Sequence, residues 1–148
     1  MKFIADVMLG RLAKRLRLLG FDVFYDRTLN DNEILRLSLE QDRVILTRDT
    51  GLSERPLAAN HLFIENQQVQ GQVDQVLSAF PAPSRPLTRC SECNVPLTLL
   101  KKPETADLVP PYIYETHDEF RQCASCGRIY WEGSHVKRMA LPAGDKIK

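Results

Sequence analysis

This sequence has no long apolar run, no excess of one charge and no internal repeat beyond a pair of CxxC motifs. No apolar stretch approaches the roughly 18 residues of a membrane helix. The run FIADVML at the amino terminus is interrupted by Asp6 and does not resemble a signal segment, so we expect a cytoplasmic protein without membrane contact. The formal net charge is only +1. The chain is therefore not a strongly basic tail, and any surface for nucleic acid must be local.

Cysteine is scarce and occurs only in the two CxxC pairs. The four residues are Cys90, Cys93, Cys123 and Cys126. In a small secreted domain such pairs suggest disulfides, but without a signal segment a metal site is the better interpretation. Two CxxC loops present four thiolates, which form the closed tetrahedron of structural Zn²⁺. A closed site leaves no position for catalysis, so we expect the zinc to fold the unit around it.

Two other interpretations of the cysteines stay open. Four thiolates can also hold iron in a rubredoxin-like site. A thioredoxin-like redox pair is disfavoured, because neither CxxC motif follows a strand and opens a helix. The insert between Cys93 and Cys123 is longer than usual for a zinc ribbon, contains prolines and shows no clear helical period. A long hairpin must therefore bring the two pairs together.

Apolar residues in the first half of the chain alternate between strand-like and helix-like patterns. Of the 148 residues, 43% are hydrophobic, which suffices for one ordinary domain and a small appendage. Three short apolar runs alternate with two segments of helical period, and the runs are residues 3–5, 21–25 and 44–46. This alternation predicts an α/β fold with a mostly parallel sheet. A fourth strand is predicted at residues 61–65.

The predicted helices carry recognisable signals at their ends. Apolar residues recur at helical spacing over residues 8–19, and Gly20 ends that helix. The second helix begins in the sequence NDNE, where Asn30 and Glu33 can form a capping box. A third helical pattern over residues 69–80 would close the domain, although Gly71 weakens that prediction.

Proline marks the boundary between two units. The segment FPAPSRPLTR contains three prolines, cannot continue a helix and favours an extended chain. We therefore predict an α/β domain over residues 1–80, a proline-rich linker over 81–89, a zinc-ribbon domain over 90–139 and a mobile tail over 140–148.

Acidic residues follow two of the predicted strands and open one of the predicted helices. Asp6 follows the first strand, Asp49 follows the third, and Asp31 lies at the start of the second helix. The carboxyl ends of parallel strands share the edge of the sheet where open α/β folds bind ligands. Carboxylates gathered there repel one another unless a hard cation such as Mg²⁺ or Mn²⁺ neutralises them. Two such ions about 4 Å apart can cleave a phosphodiester bond.

Each acid also has a purely structural explanation. Asp6 and Asp31 could cap the helices that follow them, and Asp49 could hold the turn that leads to Gly51. Taken singly, these explanations are as good as the functional one. Three acids predicted at the same edge favour a metal site.

Five segments of the chain carry a resemblance to a known family. In order, they are FIADVMLGRLAKRLRLLGFDV, DNEIL, VILTRDTGL, RCSECN and FRQCASCGRIYWEGSH. Together they resemble the Mut-seven C-terminal RNase family over nearly the whole chain except its tail. The resemblance implies a PIN-like three-layer nuclease domain, in which acids gather on metal ions, followed by a small zinc ribbon.

The resemblance also implies an activity and the residues that carry it. The chain is expected to be a metal-dependent ribonuclease that acts on single-stranded RNA. Asp6, Asp31 and Asp49 match the family's acids and are expected to be the catalytic ligands of Mg²⁺ or Mn²⁺. The residues expected to bind substrate are Arg48, Arg11 and Arg15. Arg48 would hold phosphate, whereas the basic face of the first helix, with Arg11 and Arg15, either contacts RNA or is simply solvated.

Three alternatives remain at this point. PIN-like sites usually carry one more acid, for which Asp26 and Glu33 are the candidates here, and a single metal ion is the alternative to two. The whole chain could instead be a non-catalytic module, in which a degenerate nuclease site and a zinc ribbon bind RNA or a ribonucleoprotein. A phosphate-accepting receiver domain also has acids at strand ends, but no paired acid lies beside Asp6.

Overall fold

A four-stranded parallel sheet forms the centre of the first unit. The computed structural model describes residues 1–83 and 85–133. The strand order is β2-β1-β3-β4, with β1 at Lys2–Ala5, β2 at Asp22–Phe24, β3 at Val44–Thr47 and β4 at His61–Phe63. All three ladders are parallel, and β2 pairs with β1. The predicted α/β architecture is therefore confirmed, and each predicted apolar run overlaps a strand.

Helices cover both faces of this sheet. They are α1 at Gly10–Leu18, α2 at Asp31–Gln41, α3 at Thr50–Ser53 and α4 at Val69–Ala79. The chain enters α1 through a short 3-10 turn at Val7–Leu9. Helices α1 and α4 pack together on one face, whereas α2 and α3 lie on the other. The predicted three-layer arrangement is confirmed.

The alternation of side chains along the strands divides the core into two clusters. Phe3 and Ala5 join the cluster beneath α1 and α4, whereas Ile4 joins the cluster beneath α2. The central strand β3 is buried along its whole length, as its continuous apolar run predicts for a strand covered on both faces. Full burial of one such side chain contributes about 1.5–3 kcal/mol, so the two clusters stabilise the unit strongly.

Gly71 lies inside α4, where a glycine ordinarily weakens a helix. A Cβ atom at this position would lie 2.2 Å from Nδ2 of Asn66, so only glycine leaves room for that side chain. Asn66 in turn accepts a hydrogen bond from the backbone N–H of Gln68 at the start of the helix (2.7 Å). The predicted helix is thus confirmed, and the glycine that weakened the prediction makes room for the Asn66 side chain.

Side-chain amides occupy the outer edges of the parallel sheet. At β4, Gln75 of α4 donates from Nε2 to the carbonyl of Phe63 (2.6 Å) and accepts at Oε1 from the N–H of Glu65 (3.0 Å). These are the groups that a further strand would use. At β2, the N–H of Val23 donates to Oδ1 of Asn94 (3.0 Å). Both edges are therefore partly closed to another strand.

Part of the proline-rich segment packs closely against the first unit. Leu87 is buried in the core cluster beneath α1, and its N–H donates to the carbonyl of Leu18 (2.8 Å). Gly20 ends the first helix as predicted, in the left-handed region at φ 102°. A Cβ on Gly20 would lie 2.7 Å from the carbonyl oxygen of Arg85, so glycine is required both by conformation and by space.

The second unit is a small antiparallel sheet. Its order is β5-β6-β7, with β5 at Leu97–Leu100, β6 at Phe120–Cys123 and β7 at Ile129–Tyr130. Strands β5 and β6 form the long hairpin predicted from the insert between the cysteine pairs. The insert also contains a helix, α5 at Pro111–Thr116. Six residues are fewer than two helical turns, which is too short to produce the periodicity that reveals a helix in sequence.

The predicted mobile tail, residues 140–148, and the end of the predicted ribbon, residues 134–139, lie outside the described residues. Within the part of the chain that the structure describes, no helix is long and apolar enough to cross a membrane.

Candidate functional site

Asp6 and Asp49 lie at the ends of the two central strands of the parallel sheet. Asp6 directly follows β1, and its N–H donates to the carbonyl of Leu46 in β3 (2.9 Å). Asp6 as a residue is only 4% exposed. Asp49 follows β3 by two residues and is partly exposed. The parallel pairing of β1 with β3 therefore brings these two acids to the same edge of the sheet, as the sequence predicts.

The hydroxyl of Thr47 connects the two acids. It donates to Oδ2 of Asp6 (2.9 Å) and accepts from the N–H of Asp49 (2.9 Å). The N–H of Val7 donates to the other oxygen of Asp6 (2.7 Å). Thr47 is completely buried, so these bonds are shielded from water. Sequence reasoning did not assign Thr47; its only signal was a hydroxyl at the end of an otherwise apolar buried strand.

Asp49 also caps α3. Its Oδ1 accepts from the N–H groups of Gly51 (2.8 Å) and Leu52 (3.3 Å). The structural explanation of Asp49 as the residue that holds the turn toward Gly51 is therefore confirmed. Capping uses one carboxylate oxygen and fixes the direction of the other, so it is compatible with a role in binding.

Asp31 lies in the first turn of α2, but it does not cap the helix. The cap is Asn30, which accepts from the N–H of Glu33 (2.9 Å), while Oε1 of Glu33 accepts from the N–H of Asn30 (3.2 Å). The predicted capping box is confirmed. Because α2 follows β2, its first turn begins at the carboxyl edge of the sheet, where the positive end of the helix dipole favours an acid.

The other predicted site residues have structural partners of their own. Oδ1 of Asp26 accepts from the N–H (2.9 Å) and the hydroxyl (2.7 Å) of Thr28, and these bonds lower the pKa of Asp26. Nη1 of Arg48 donates to three carbonyls that follow β4, those of Ile64, Glu65 and Asn66 (3.2, 2.9 and 2.6 Å). Arg48 thereby holds the loop after β4 against β3.

Arg11 and Arg15 lie on the outer side of α1. Arg11 is exposed and Arg15 is partly exposed, as the amphipathic pattern of the helix predicts. Arg15 is in the last turn of α1, where a cation is favoured by the helix dipole. Their exposure suits either solvation or contact with a polyanion, so their role as RNA ligands stays a prediction.

One group of metal-ligating side chains is assembled in the described residues. It consists of Cys90, Cys93, Cys123 and Cys126, whose sulfur atoms all lie within 4.8 Å of one another. Asp6, Asp31 and Asp49 do not form a comparable group there. The sharing of one cation by these three acids therefore stays a prediction.

The two cysteine loops have matching geometry. In each loop the second cysteine donates its N–H to the sulfur of the first (3.4 Å in both). The next residue, Asn94 or Gly127, donates its N–H to the carbonyl of the first cysteine (2.9 and 2.8 Å). Both of these residues have positive φ, 63° and 81°. The loops are therefore equivalent turns that direct two sulfurs each toward a common point.

The four sulfurs suit a tetrahedral metal ion. All four cysteines are free. A Zn–S distance of about 2.3 Å places tetrahedral ligands about 3.8 Å apart, and Sγ of Cys90 and Cys126 are 3.7 Å apart. Hydrogen bonds from the backbone and side chain of Arg128 lower the pKa of the Cys126 thiol to about 6, so one thiolate forms readily near neutral pH. The cluster can hold zinc, while iron remains the alternative with the same ligands.

One of three comparisons with known proteins finds a match. No curated protein and no solved structure matches the chain significantly. The family model described as the Mut7-C RNAse domain matches residues 1–141, which is nearly the whole chain. The match covers both the parallel α/β unit with its acidic edge and the unit that contains the four cysteines. The chain therefore belongs to the Mut7-C RNAse domain family.

Proposed function

We propose that this chain is a ribonuclease whose cleavage of RNA phosphodiester bonds depends on Mg²⁺ or Mn²⁺. The family match indicates a ribonuclease-type function. The observation that carries the metal dependence is the burial of Asp6. The residue is 4% exposed, and its carboxylate accepts hydrogen bonds from a backbone N–H and a hydroxyl. Within the described residues, that carboxylate forms no salt bridge. A buried negative charge of this kind is stabilised by a bound cation.

The oxygen donors at this edge fit a hard divalent cation. Asp6 and Asp49 would be its first ligands, because Thr47 links them across adjacent strands. Asp31 would complete the acidic set from the first turn of α2. A cation held by these acids would supply polarisation of a phosphate oxygen and activation of a water as nucleophile. Thr47 orients the carboxylate of Asp6, and the first N–H groups of α3 orient that of Asp49.

Substrate would be held by arginines around the acidic edge. We assign Nε and Nη2 of Arg48 to a phosphate, since its Nη1 holds the carbonyls after β4. Arg11 and Arg15 are assigned to the backbone of a single-stranded RNA that extends over α1. A cytoplasmic location and the preference for single strands stay predictions from the sequence.

A cleavage assay tests this function. Labelled single-stranded RNA is incubated with the protein in Mn²⁺, in Mg²⁺ and with chelator, and the variant Asp49→Asn is compared with Asp107→Asn. Asparagine caps a helix as well as aspartate does, so Asp49→Asn removes charge without removing the cap. Removing a residue that hydrogen-bonds to a metal ligand typically lowers metal affinity or activity about 10–100-fold. Removing a ligand itself should therefore lower the cleavage rate at least about 100-fold. Asp107, an exposed acid of the second unit, controls for net charge.

The outcomes are distinct. We expect chelator and Asp49→Asn to abolish cleavage, while Asp107→Asn cleaves like wild type. Equal cleavage by all three proteins would identify a contaminating nuclease and contradict the proposal. RNA binding without any cleavage would favour the non-catalytic module, in which the acids serve only as caps and hydrogen-bond acceptors.

A further inference from the structure

Strand β2 is one of the two outer strands of the parallel sheet, and a loop of the second unit covers its open edge. The N–H of Val23 donates to Oδ1 of Asn94 (3.0 Å), and Nδ2 of Asn94 donates to Oδ1 of Asp22 (2.8 Å). Asn94 is the residue immediately after the first CxxC motif. Its amide therefore occupies part of the place that a fifth strand would take.

A buried arginine makes a second connection between the same strand and the same loop. Arg17 of α1 is 5% exposed. Its Nε donates to the carbonyl of Val23 (2.9 Å), and its Nη1 donates to the carbonyls of Ser91 (2.9 Å) and Glu92 (3.3 Å). Both backbone polar groups of Val23 are thus tied to residues 91–94, one through Asn94 and the other through Arg17. A buried guanidinium needs these acceptors. Moving the loop away would therefore leave Arg17 with unsatisfied donors and would be unfavourable in free energy.

The conformation that makes these contacts is the one that presents two sulfurs to a metal. Asn94 has φ 63°, and its N–H closes the turn on the carbonyl of Cys90. The N–H of Cys93 points at Sγ of Cys90. A metal bound to both sulfurs fixes this turn, and it thereby fixes the carbonyls of Ser91 and Glu92 and the position of the Asn94 side chain.

We infer that residues 90–94 act as a metal-dependent latch on the edge strand of the α/β unit. Metal bound by the four cysteines holds the loop in the conformation that satisfies Val23 and Arg17, and loss of the metal releases β2. The first unit is thereby stabilised by a metal that none of its own residues binds. This inference concerns the cysteine site alone and does not depend on nuclease activity.

Hydrogen exchange on the full chain tests the latch at single amides. The reduced, zinc-loaded protein is compared with protein stripped by a thiol reagent and chelator. The probe is the N–H of Val23. The internal control is the N–H of Ile45 in β3, and this N–H donates to the carbonyl of Asn60 (3.0 Å). We expect stripping to accelerate exchange at Val23 about tenfold or more and to change that at Ile45 less than about twofold.

A variant separates the latch from the metal. Asn94→Gly keeps the positive φ that the turn requires and removes only the amide. We expect it to retain its metal, by elemental analysis, and to show faster exchange at Val23 even when loaded. Unchanged exchange at Val23 after stripping would overturn the inference. Equal acceleration at Val23 and Ile45 would also overturn it, since the metal would then support the whole sheet.

Discussion

The two units of this chain differ in how many apolar residues they bury. The α/β unit buries two apolar clusters, one on each face of its sheet. In the second unit, from residue 90 to residue 133, the fully described buried residues are few: Cys90, Thr105, Val109, Phe120 and Cys123. Two of these five, Cys90 and Cys123, belong to the group of four cysteines that could hold a metal ion. A segment this small rarely folds on its apolar core alone, so we expect metal binding by its cysteines to supply the remaining stability.

Exposure of apolar side chains shows the same difference. In β3 every residue is buried, whereas β5 has two exposed residues out of four, and its Leu99 is 68% exposed. Strand β5 therefore buries much less of its apolar surface than β3 does. Apolar packing therefore holds the first unit, whereas we expect metal coordination by the four cysteines to hold the second. Three perturbations test this difference.

The largest effect is expected from removing one cysteine ligand. Binding free energy of order 10 kcal/mol supports the folding of isolated zinc-finger peptides, so Cys93→Ser should reduce the metal content from about one ion per chain to none. Proteases should then cut between residues 88 and 133 much sooner than in wild type, while the helices of the α/β unit stay folded. Elemental analysis and timed proteolysis measure both results.

A neighbouring substitution serves as the control for this experiment. Ala124→Ser changes an exposed residue inside the second CxxC motif and leaves all four ligands in place, so it should behave like wild type. A protease-resistant second unit in metal-free Cys93→Ser would contradict the contrast between the two units. So would wild-type protein purified without chelator that contains neither zinc nor iron.

An intermediate effect is expected from a cavity in the apolar core. Ile45 is completely buried between the layers, and Ile45→Ala should lower the free energy of unfolding by about 2–5 kcal/mol. Leu99→Ala removes a similar side chain from the exposed face of the second unit. It should change the free energy of unfolding by less than about 0.5 kcal/mol. Urea denaturation followed by circular dichroism gives both values. Similar losses in the two variants would show that the second unit relies on apolar packing too.

The smallest effect is expected from acid at the contact between the units. Burial acts to raise the pKa of Asp22, but hydrogen bonds from Arg43 and Asn94 lower it below its ordinary value. Because the folded pKa is the lower one, this contribution to stability is present above the unfolded value of about 3.9 and is lost as the pH falls through the folded value.

Asp22→Asn should therefore flatten the decline in the free energy of unfolding below about pH 4. Denaturation curves across the acid range measure this slope, with the exposed Asp107→Asn as the matched control. An unchanged slope in Asp22→Asn would mean that Arg43 and Asn94 do not favour the charged carboxylate.

The sequence predicts those parts of the structure that have a local signal. Strand periodicity, the NDNE capping box and the CxxC spacing each lie within a few residues, and the structure confirms all three. Helices α3 and α5 were not predicted, because four and six residues cannot display a helical period. The candidate site follows the same rule: acids after strands were visible in the sequence, and the link that Thr47 makes between them was not.

Contacts between distant residues leave no mark that one sequence can reveal. The hydrogen bond from Val23 to Asn94 joins residues 71 positions apart. Leu87 occurs in a segment whose prolines indicate a linker, yet it is buried beneath α1 because its own apolar side chain fits there. Composition describes what a segment can do alone, and tertiary packing decides what it does in the fold.

The amides at the two sheet edges have a further consequence for self-association. An uncovered edge strand is a template on which another chain can add a strand, and aggregation follows from repeated addition. Gln75 belongs to α4 of the same unit and stays beside β4 whatever happens to the metal. Asn94 is delivered by the cysteine loop. Metal-depleted protein would therefore expose the edge of β2, whereas the edge of β4 would stay covered. Aggregation should then begin by strand addition at β2.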